Sequence, residues 1–593
     1  MKKLGLGVGL LALGLTRGAE VPTLPFEQVQ PGMRGTGRTV FRGTQVETFE
    51  VEILGKLARI GPHQDLILAR CTGGPLEHTG VLAGMSGSPV TVDGKLIGAV
   101  AYSWEFAEEA IAGITPIGEM LAIPALDGQP ALRASGGLAI GPEELSRLQE
   151  PRALGEFFTS RMEQLAGYAA GAAPLSLPIS VGGIGPRGLA RIAPQLRRAG
   201  FLPVQSGGAG TGVTPAPPLQ PGSAIGLKLV RGDVEMAATG TATWVDGDRV
   251  LAFGHPLFGL GAVHLPLTAA QVETLLPSVQ QSARLASPLG EVGALLQDRA
   301  SGVFGRLGAA PRMVPVRLQL SGGGLRERAY AFDVADDPLL APLLLYLSLQ
   351  GIVAREERAI GSATLRLGQG TVIKLAGGQD VALDNLFAGP QALDLGTGLV
   401  PYVLFLLMNG VWSPPQVEGV NLILAYEPLP RASQVSRVAF DRYVVRPGES
   451  LVATVVVTPY HGPEQSFTRE IVIPDDAPEG KLTVQVGGAL TINRTDESED
   501  APLPHDLSQL VRLINQLRRN DRIYVLATAE DHGFLLEGTR LPNLPPSAVR
   551  LLASRRGERG LLPLGWRGVF EEAIPTEFAV EGSIRTELRV ESR

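Results

Sequence analysis

The chain is poor in cysteine, aromatic residues and charge. It has one cysteine, Cys71, in 593 residues, while charged residues make up 19% and aromatic residues 5% of the composition. A single cysteine excludes an internal disulfide, so the fold must rely on packing alone. The net charge is −7 and Lys and Arg are scattered along the chain, which argues against the basic footprint of a nucleic-acid-binding protein.

No residue pattern points to a cofactor or a metal ion. Asp246 and Asp248 flank a glycine, but two carboxylates alone make a poor metal site, and this pattern is typical of a hairpin turn. We therefore expect no cofactor and no bound metal.

Glycine and proline, by contrast, are abundant, with 75 and 46 residues. This balance favours many short strands and turns over long surface helices. The length exceeds what one hydrophobic core supports and predicts about three or four domains. We expect a mainly β protein.

The N-terminus has the pattern of a secretory signal. Met1, Lys2 and Lys3 precede an apolar run at 4–15, and small residues follow near position 19. The run of about 12 residues is shorter than the roughly 20 that span a bilayer, so cleavage is favoured over an uncleaved membrane anchor. We expect a periplasmic, cell-surface or secreted protein without a stable membrane span after cleavage.

Two later apolar stretches, 339–349 and 399–408, could be mistaken for membrane segments. Both are too short and are interrupted by proline. We expect both to be buried core segments.

The clearest chemical motif is Gly84-Met85-Ser86-Gly87-Ser88-Pro89, which precedes a hairpin whose turn is predicted at Asp93-Gly94. Small residues around one serine permit a tight turn that exposes its hydroxyl. The backbone N–H groups of Gly84 and Ser86 could converge on a developing oxyanion. This is the chemistry of a serine peptidase, with Ser86 as nucleophile; a turn that merely connects strands is the simpler alternative.

A serine nucleophile needs a base, and His255 is the best candidate among seven histidines. It directly follows a predicted strand and lies between Gly254 and Pro256, a position that would hold its side chain rigidly. His63 and His78 are closer to Ser86 in sequence and remain alternatives, because sequence proximity says little about triad geometry.

These motifs resemble two segments of the SpoIVB peptidases, the sporulation signalling proteases. One resembles their serine segment and the other their histidine segment, and both carry flanking strands that are similar as well. The similar stretches are 46–53, 84–89, 92–100 and 114–121 around the serine, and 240–245, 252–255 and 301–305 around the histidine.

The resemblance implies a trypsin-like pair of β-barrels, with Ser86 as nucleophile and His255 as general base in the cleft between them. In the family the histidine segment comes first, so the two modules are permuted here. The family's aspartate aligns near Thr72, which is not a carboxylate, and no convincing PDZ domain is present. Candidates for an alternative orienting acid are Asp246, Asp248 and Asp298.

The predicted fold class is mainly β, a trypsin-like double β-barrel with additional α+β and immunoglobulin-like β-sandwich domains. The predicted regions are a signal peptide (1–19), a serine-bearing β-barrel module (20–124), a helical and linker region (125–217), a histidine-bearing β-barrel module (218–333), an α+β region (334–430), an immunoglobulin-like β-sandwich (431–490) and a C-terminal α+β region (491–593).

The function expected from these observations is an exported serine endopeptidase. It would cleave a protein or peptide substrate of the cell envelope, or a secreted protein, through an acyl-enzyme intermediate. The alternative is a noncatalytic envelope binding or scaffold protein on a degenerate peptidase fold.

Overall fold

The computed structural model describes most of residues 22–591. The gaps within this range are 63, 105, 127–139, 150–153, 168–174, 207–214, 323–324, 357–360, 497–503, 531–532, 537–538, 542–543, 554–561 and 564. The predicted signal peptide at 1–19 and parts of the predicted helical and linker region at 125–217 lie outside the described residues.

The N-terminal part of the chain forms a closed six-stranded barrel, which we call the serine barrel. Its strands neighbour one another in the order β1-β2-β3-β6-β5-β4, and β4 pairs back with β1. The elements are a 3-10 helix (Phe26–Gln28), β1 (Arg34–Thr39), β2 (Glu47–Gly61), β3 (Gln64–Thr72), α1 (Leu76–Thr79), β4 (Pro89–Val92), β5 (Lys95–Ser103), β6 (Ile111–Pro116), α2 (Ile117–Leu121) and a second 3-10 helix (Ile123–Leu126).

The sequence of β2 explains how this barrel is filled. Phe49, Val51 and Ile53 alternate along the strand and are buried, as a period of two requires for one face of a strand. On neighbouring β1, a Cβ added to Gly37 would fall 2.0 Å from the Phe49 ring. The predicted turn at Asp93-Gly94 is confirmed, since both residues have positive φ and join β4 to β5.

Residues 142–205 supply a helical layer and two parallel strands. The elements are α3 (Pro142–Gln149), α4 (Leu154–Gly167), β7 (Leu177–Gly182), α5 (Gly185–Arg198) and β8 (Phe201–Gln205). Helix α5 connects β7 to β8, which pair in parallel. Every residue of β7 is buried.

Residues 224–307 form a second closed ring of six strands, which we call the histidine barrel. Its order is β9-β12-β13-β14-β11-β10, and a pairing between β10 and β9 closes it. The strands are β9 (Ala224–Gly232), β10 (Glu235–Asp246), β11 (Arg249–Ala252), β12 (Gly261–Leu276), β13 (Ala283–Arg299) and β14 (Gly302–Leu307).

The two barrels share one connectivity. Read from its first strand through its second, each ring runs first, second, third, sixth, fifth, fourth. For the histidine barrel this order is β9-β10-β11-β14-β13-β12. The predicted mainly β fold with paired β-barrels is therefore confirmed.

The histidine barrel is part of a larger sheet. Strand β7 pairs with β10, and on the other side β16 pairs with β9, which gives a 13-stranded sheet from β18 to β8. The added elements are β15 (Met313–Gly322), β16 (Leu325–Ala335), α6 (Leu340–Glu356), β17 (Ala363–Leu375), β18 (Val381–Gly389), α7 (Ala392–Asn409) and β19 (Val417–Glu427).

Helices α6 and α7 contain the two apolar stretches. Both contribute many buried side chains to the main hydrophobic core, which confirms the prediction of core segments. By length and composition α7 is the one helix among the described residues that could cross a membrane, but 78% of it is buried within the protein.

The C-terminal part is a sandwich of two sheets around a shared core. The sheets have the orders β23-β22-β20-β30 and β21-β31-β24-β25-β29, and a small sheet β27-β26-β28 accompanies them. The elements are β20 (Ala432–Phe440), β21 (Val444–Val445), β22 (Ser450–Pro459), β23 (Gln465–Val472), β24 (Gly480–Gly487), α8 (Ala489–Asp496), α9 (Leu507–Asn515), β25 (Arg522–Glu530), β26 (Phe534–Leu536), β27 (Thr539–Leu541), α10 (Pro546–Ala553), β28 (Leu562–Pro563), β29 (Trp566–Pro575), β30 (Ala579–Glu581) and β31 (Ser583–Val590).

The regions predicted separately at 431–490 and 491–593 share this one sandwich. The reason is that the last two strands return to earlier ones, with β30 pairing with β20 and β31 with β24.

Candidate active site between the two barrels

Ser86 and His255 occupy equivalent positions in the two barrels. Ser86 lies in the loop between the third and fourth strands of the serine barrel, and His255 lies between the third and fourth strands of the histidine barrel. Because the barrels share one connectivity, each residue is at the same point of its own module. We call residues 83–88 the serine loop and residues 253–260 the histidine loop.

The serine loop depends on two glycines with positive φ. Gly84 has φ +97° and Gly87 has φ +96°, values that strain any other residue type. A Cβ on Gly87 would fall 1.9 Å from the Thr241 carbonyl oxygen and 2.6 Å from the Phe253 nitrogen. The serine loop therefore packs closely against β10 and against the start of the histidine loop.

The direction of the Gly84 N–H follows from the Ala83 carbonyl, which belongs to the same peptide group. The Ala83 carbonyl accepts a hydrogen bond from the Arg284 backbone N–H at 3.0 Å. In a trans peptide the C=O and the next N–H point in opposite directions, so the Gly84 N–H points away from β13. Among the described residues this N–H has no acceptor.

The amide of Ser86 is oriented in the same way. The Met85 carbonyl accepts from both the N–H and the hydroxyl of Ser88, at 2.9 and 2.6 Å. The Ser86 N–H, on the opposite side of that peptide, has no acceptor within the described parts of the chain. The two amides predicted to bind an oxyanion are thus unpaired, whereas those of Ala83, Met85, Gly87 and Ser88 are all paired.

The remaining carbonyls of the serine loop are held by the histidine barrel. The Thr241 N–H donates to the Ser86 carbonyl at 2.8 Å, and the Thr241 hydroxyl donates to the Gly84 carbonyl at 3.1 Å. The Thr243 hydroxyl donates to the Gly87 carbonyl at 2.8 Å. The position of Ser86 is therefore set in part by the other barrel.

Arg284 is a fully buried cation that joins the barrels. Its guanidinium has no carboxylate partner among the described residues, and burial lowers the pKa of Arg284 to about 9. It donates instead to neutral oxygens of both barrels. The acceptors are Thr39 Oγ1 (3.0 Å), Val40 O (2.9 Å), Gly84 O, Gly240 O (3.3 Å) and Thr241 Oγ1 (2.9 Å).

The histidine loop starts with two consecutive residues of positive φ, Phe253 at +67° and Gly254 at +71°. For Phe253 this conformation is strained and must be imposed by its surroundings. Its ring occupies the space next to Gly240, where an added Cβ would fall 1.7 Å from a ring carbon. The Gly254 carbonyl accepts from the Thr115 hydroxyl of the serine barrel at 2.6 Å.

Asp298 fixes the rest of the histidine loop. Its buried carboxylate accepts from the N–H groups of four consecutive residues, 257–260, at 2.8 to 3.3 Å. Burial raises the pKa of Asp298, and the four amide hydrogen bonds oppose that rise. Asp298 therefore holds the backbone that follows His255 and makes no hydrogen bond to the imidazole.

The imidazole of His255 has a defined tautomer. Its Nδ1 lies 2.8 Å from the Pro256 carbonyl oxygen, which can only accept, so Nδ1 carries the proton and Nε2 presents a lone pair. Burial lowers the pKa of His255 to about 4, with the Pro256 hydrogen bond opposing the shift. The ring is therefore neutral at neutral pH, as a general base must be.

Three buried side-chain atoms at this interface lack hydrogen-bond partners, namely the Ser86 hydroxyl oxygen, His255 Nε2 and Arg284 Nε. The first two are chemically complementary, because one belongs to a donor and the other is an acceptor, yet they do not hydrogen bond to each other. Ser86 is 0% and His255 1% exposed.

The other predicted acids lie elsewhere. Asp246 pairs with Arg249, and Asp248 pairs with Arg306 at 3.0 Å, both at the β10–β11 hairpin. Neither carboxylate bonds to His255. Thr72 is exposed at the end of β3. The Pro256 carbonyl is the group that orients the imidazole.

Of the alternative histidines, His78 is exposed on α1. His63 lies outside the described residues. Sequence reasoning missed four residues that build the site: Ser88, Thr115, Thr241 and Arg284. The first three fall inside the stretches that resemble the SpoIVB peptidases, whereas nothing around Arg284 marks it.

A comparison with known families finds a match. Residues 18–118 match the family model of SpoIVB peptidase S55. The match spans the serine barrel with its loop and ends in α2, so it covers well under half of the chain and does not include His255. No curated protein and no solved structure matches the chain. The serine barrel of this protein, with its loop, is therefore similar to the SpoIVB peptidase S55 family.

Proposed function

We propose that the protein is a serine endopeptidase with Ser86 as nucleophile and His255 as general base. The observation that carries this proposal is the pair of complementary unpaired atoms, Ser86 Oγ and His255 Nε2, beside two unpaired amides. Buried polar groups are normally paired, and exceptions call for an explanation. A site that binds a substrate explains why both side-chain atoms and both amides lack partners within the protein.

The first chemical step uses each of these atoms. Ser86 Oγ attacks the substrate carbonyl carbon while His255 Nε2 accepts the hydroxyl proton. The carbonyl electron pair moves onto oxygen, and the N–H groups of Gly84 and Ser86 donate to the resulting oxyanion. The C–N bond then breaks, the imidazolium returns its proton to the leaving amine, and an acyl ester remains on Ser86.

Hydrolysis of the ester repeats the sequence with water. His255 Nε2 accepts a proton from water, the hydroxide attacks the ester, and Ser86 leaves with the returned proton. A peptide acid is released and the starting state is restored.

The orienting group distinguishes this site from a triad with aspartate. The Pro256 carbonyl fixes the tautomer as a carboxylate would, but it stabilises the imidazolium by a dipole and not by a full charge. We therefore expect slower chemistry than in a triad of the same geometry.

The substrate in this proposal is a protein or peptide of the cell envelope, or a secreted protein. Support for export comes from the signal-like N-terminus, together with the similarity to SpoIVB peptidases. The C-terminal sandwich would serve recognition.

The test is covalent labelling by a fluorophosphonate probe, followed over hours because a buried site is reached only when the chain opens locally. We expect wild-type protein to be labelled at one residue. Ser86→Ala should abolish labelling and His255→Gln should slow it by about 10² or more, as expected for loss of a general base. His78→Gln is the matched control and should label at the wild-type rate.

One observation favours a second candidate, a noncatalytic binding or scaffold protein. The two residues are almost fully buried and no carboxylate contacts His255. Absence of labelling in folded wild-type protein, even after prolonged incubation, would favour the scaffold over the peptidase.

A further inference from the structure

The burial of Ser86 raises the question of what covers it. A peptidase must bring a substrate backbone to its nucleophile, yet Ser86 is 0% exposed. A short segment of the chain itself, Leu175–Pro178, leads into β7 and lies close to the serine loop.

The first contact of this segment is with β5. The Leu175 N–H donates to the Ala101 carbonyl at 3.0 Å. The preceding residue, Val100, holds the serine loop through hydrogen bonds with Gly87 and Ser88 at 2.7 and 2.9 Å. Leu175 is thus bound by main-chain hydrogen bonding to the strand that supports the nucleophile, which is how an extended peptide adds to a sheet.

Ala101 also connects Leu175 to the histidine loop. A Cβ on Gly254 would fall 3.1 Å from the Ala101 Cβ. The Ala101 side chain therefore lies next to Gly254, the residue before His255.

The side chain of Leu175 fills an apolar pocket of the serine barrel. It is 1% exposed and belongs to the same hydrophobic cluster as Leu82, Met85 and Val100. Met85 directly precedes Ser86. Leu177, two residues on, is also buried but belongs to the large core on the other side.

The far end of the segment contacts the predicted oxyanion donor. The Pro178 Cγ lies 3.4 Å from the position of a Cβ on Gly84. The chain then continues as β7, which pairs with β10 at Ala238↔Ile179, just before Thr241. The segment therefore runs from the strand beside the histidine loop to the serine loop.

We propose that Leu175–Pro178 occupies the substrate cleft of this site, with Leu175 in the pocket for the residue on the acyl side of the scissile bond. This rests on the proposed peptidase function. The site then takes extended peptides with leucine or a similar uncharged apolar residue at that position. Because the amides of Gly84 and Ser86 are unpaired, the Leu175 carbonyl is not bound as an oxyanion, and the segment acts as an occupant and not as a substrate undergoing cleavage.

The test measures peptide binding without chemistry. In a Ser86→Ala background, a fluorescein-labelled peptide with the sequence of residues 173–178 is titrated against the full chain. Adding Leu175→Ala should empty the pocket and tighten peptide binding at least tenfold. Leu177→Ala removes the same atoms from the other core and is the matched control, with no gain expected. The same peptide with Asp in place of the leucine that corresponds to Leu175 should not bind.

A second readout separates this inference from the proposed function. With Ser86 present, Leu175→Ala should raise the rate of fluorophosphonate labelling at least tenfold. Tighter peptide binding without any labelling would retain the occupied cleft and refute the peptidase. Equal peptide binding in the Leu175→Ala and Leu177→Ala variants would overturn the occupied cleft, whatever the labelling shows.

Thermal unfolding verifies that each variant is folded. If Leu175→Ala does not fold, Leu175→Val replaces it, since it deletes a single methylene. The expected gain in peptide affinity is then about threefold. Its absence would count equally against the inference.

Discussion

Arg284 of the histidine barrel donates from its guanidinium to the carbonyl of Gly84 in the serine loop. Two hundred positions separate these residues, and the contact fixes the loop that presents Ser86. An uncompensated buried cation is costly, because the desolvation of a charge is large. Here carbonyl and hydroxyl oxygens from both barrels replace water around it. The barrels are thus joined at the point where the proposed chemistry takes place.

The first prediction concerns Arg284→Met. This change keeps the apolar stem and removes the donors, so buried acceptors such as Val40 O lose their side-chain partner, at about 1–3 kcal/mol for each unsatisfied group. Removal of a buried charge offsets part of that cost. We expect the free energy of unfolding to fall by about 2 kcal/mol and labelling to slow by about 10² or more, comparable to loss of an oxyanion donor.

The control for this prediction is Arg299→Met on the same strand, where the side chain bonds to Gln297 at the edge of the site. It should leave labelling unchanged. Arg284→Lys should be intermediate, because an ammonium group cannot reproduce the planar set of donors. Wild-type labelling by Arg284→Met would show that the guanidinium has no positioning role.

The second prediction concerns Gly87→Ala. The added Cβ would meet the Thr241 carbonyl at 1.9 Å at a residue with φ +96°, so the loop or β10 must move. We expect a loss of about 3 kcal/mol or more in the free energy of unfolding, from overpacking and backbone strain together, and no detectable labelling.

Gly94→Ala is the matched control for Gly87→Ala. Gly94 also has positive φ, +73°, but an added Cβ meets nothing within 4 Å. The cost should be about 1 kcal/mol of strain, with wild-type labelling. Similar effects of the two changes, measured by chemical denaturation and labelling, would show that the close contact at Gly87 is unimportant.

The contrast between local and distant contacts explains what the sequence could predict. The turn at Asp93-Gly94 and the serine loop depend on glycines within a few residues, so their sequence motifs identify them. Arg284 meets its partners only through the tertiary fold, and no window of sequence contains both. Likewise β30 pairs with β20 across 147 positions, and β31 pairs with β24 across about a hundred. Because these pairings join distant positions, the sequence does not reveal that 431–490 and 491–593 belong to one sandwich.

The third prediction concerns Glu119, which follows β6 on α2. Its carboxylate is half-buried and accepts from the Asp65 N–H at 2.8 Å. Burial, with repulsion from the Asp65 carboxylate, raises the pKa of Glu119 to about 7, against the lowering effect of that hydrogen bond. A folded-state pKa above the unfolded value means that the folded state binds more protons between about pH 4.5 and 7, so this carboxylate makes stability fall as pH rises through that range.

Glu119→Gln should flatten this dependence, because an amide keeps an oxygen for the Asp65 N–H and does not ionise. The measurement is the free energy of unfolding against pH for both proteins. Above about pH 8 the two slopes should coincide, which serves as an internal control. Parallel curves between pH 4.5 and 7 would indicate that Glu119 is solvated.

The fourth prediction concerns the pH dependence of Ser86 labelling. Burial lowers the pKa of His255 to about 4 from the ordinary value near 6.5. Since the free-enzyme rate reports the base form of the catalytic histidine, the labelling rate should fall only below about pH 4 to 5 and should stay level from about pH 5.5 to 8.

The free energy of unfolding should change in the same direction. Between the two pKa values the unfolded state binds more protons than the folded state, so the contribution of His255 to stability rises with pH from about 4 to 6.5. In His255→Gln both effects should disappear. An inflection of the labelling rate near 6.5 in folded wild-type protein would show that the imidazole is solvated in the free protein, contrary to its buried position.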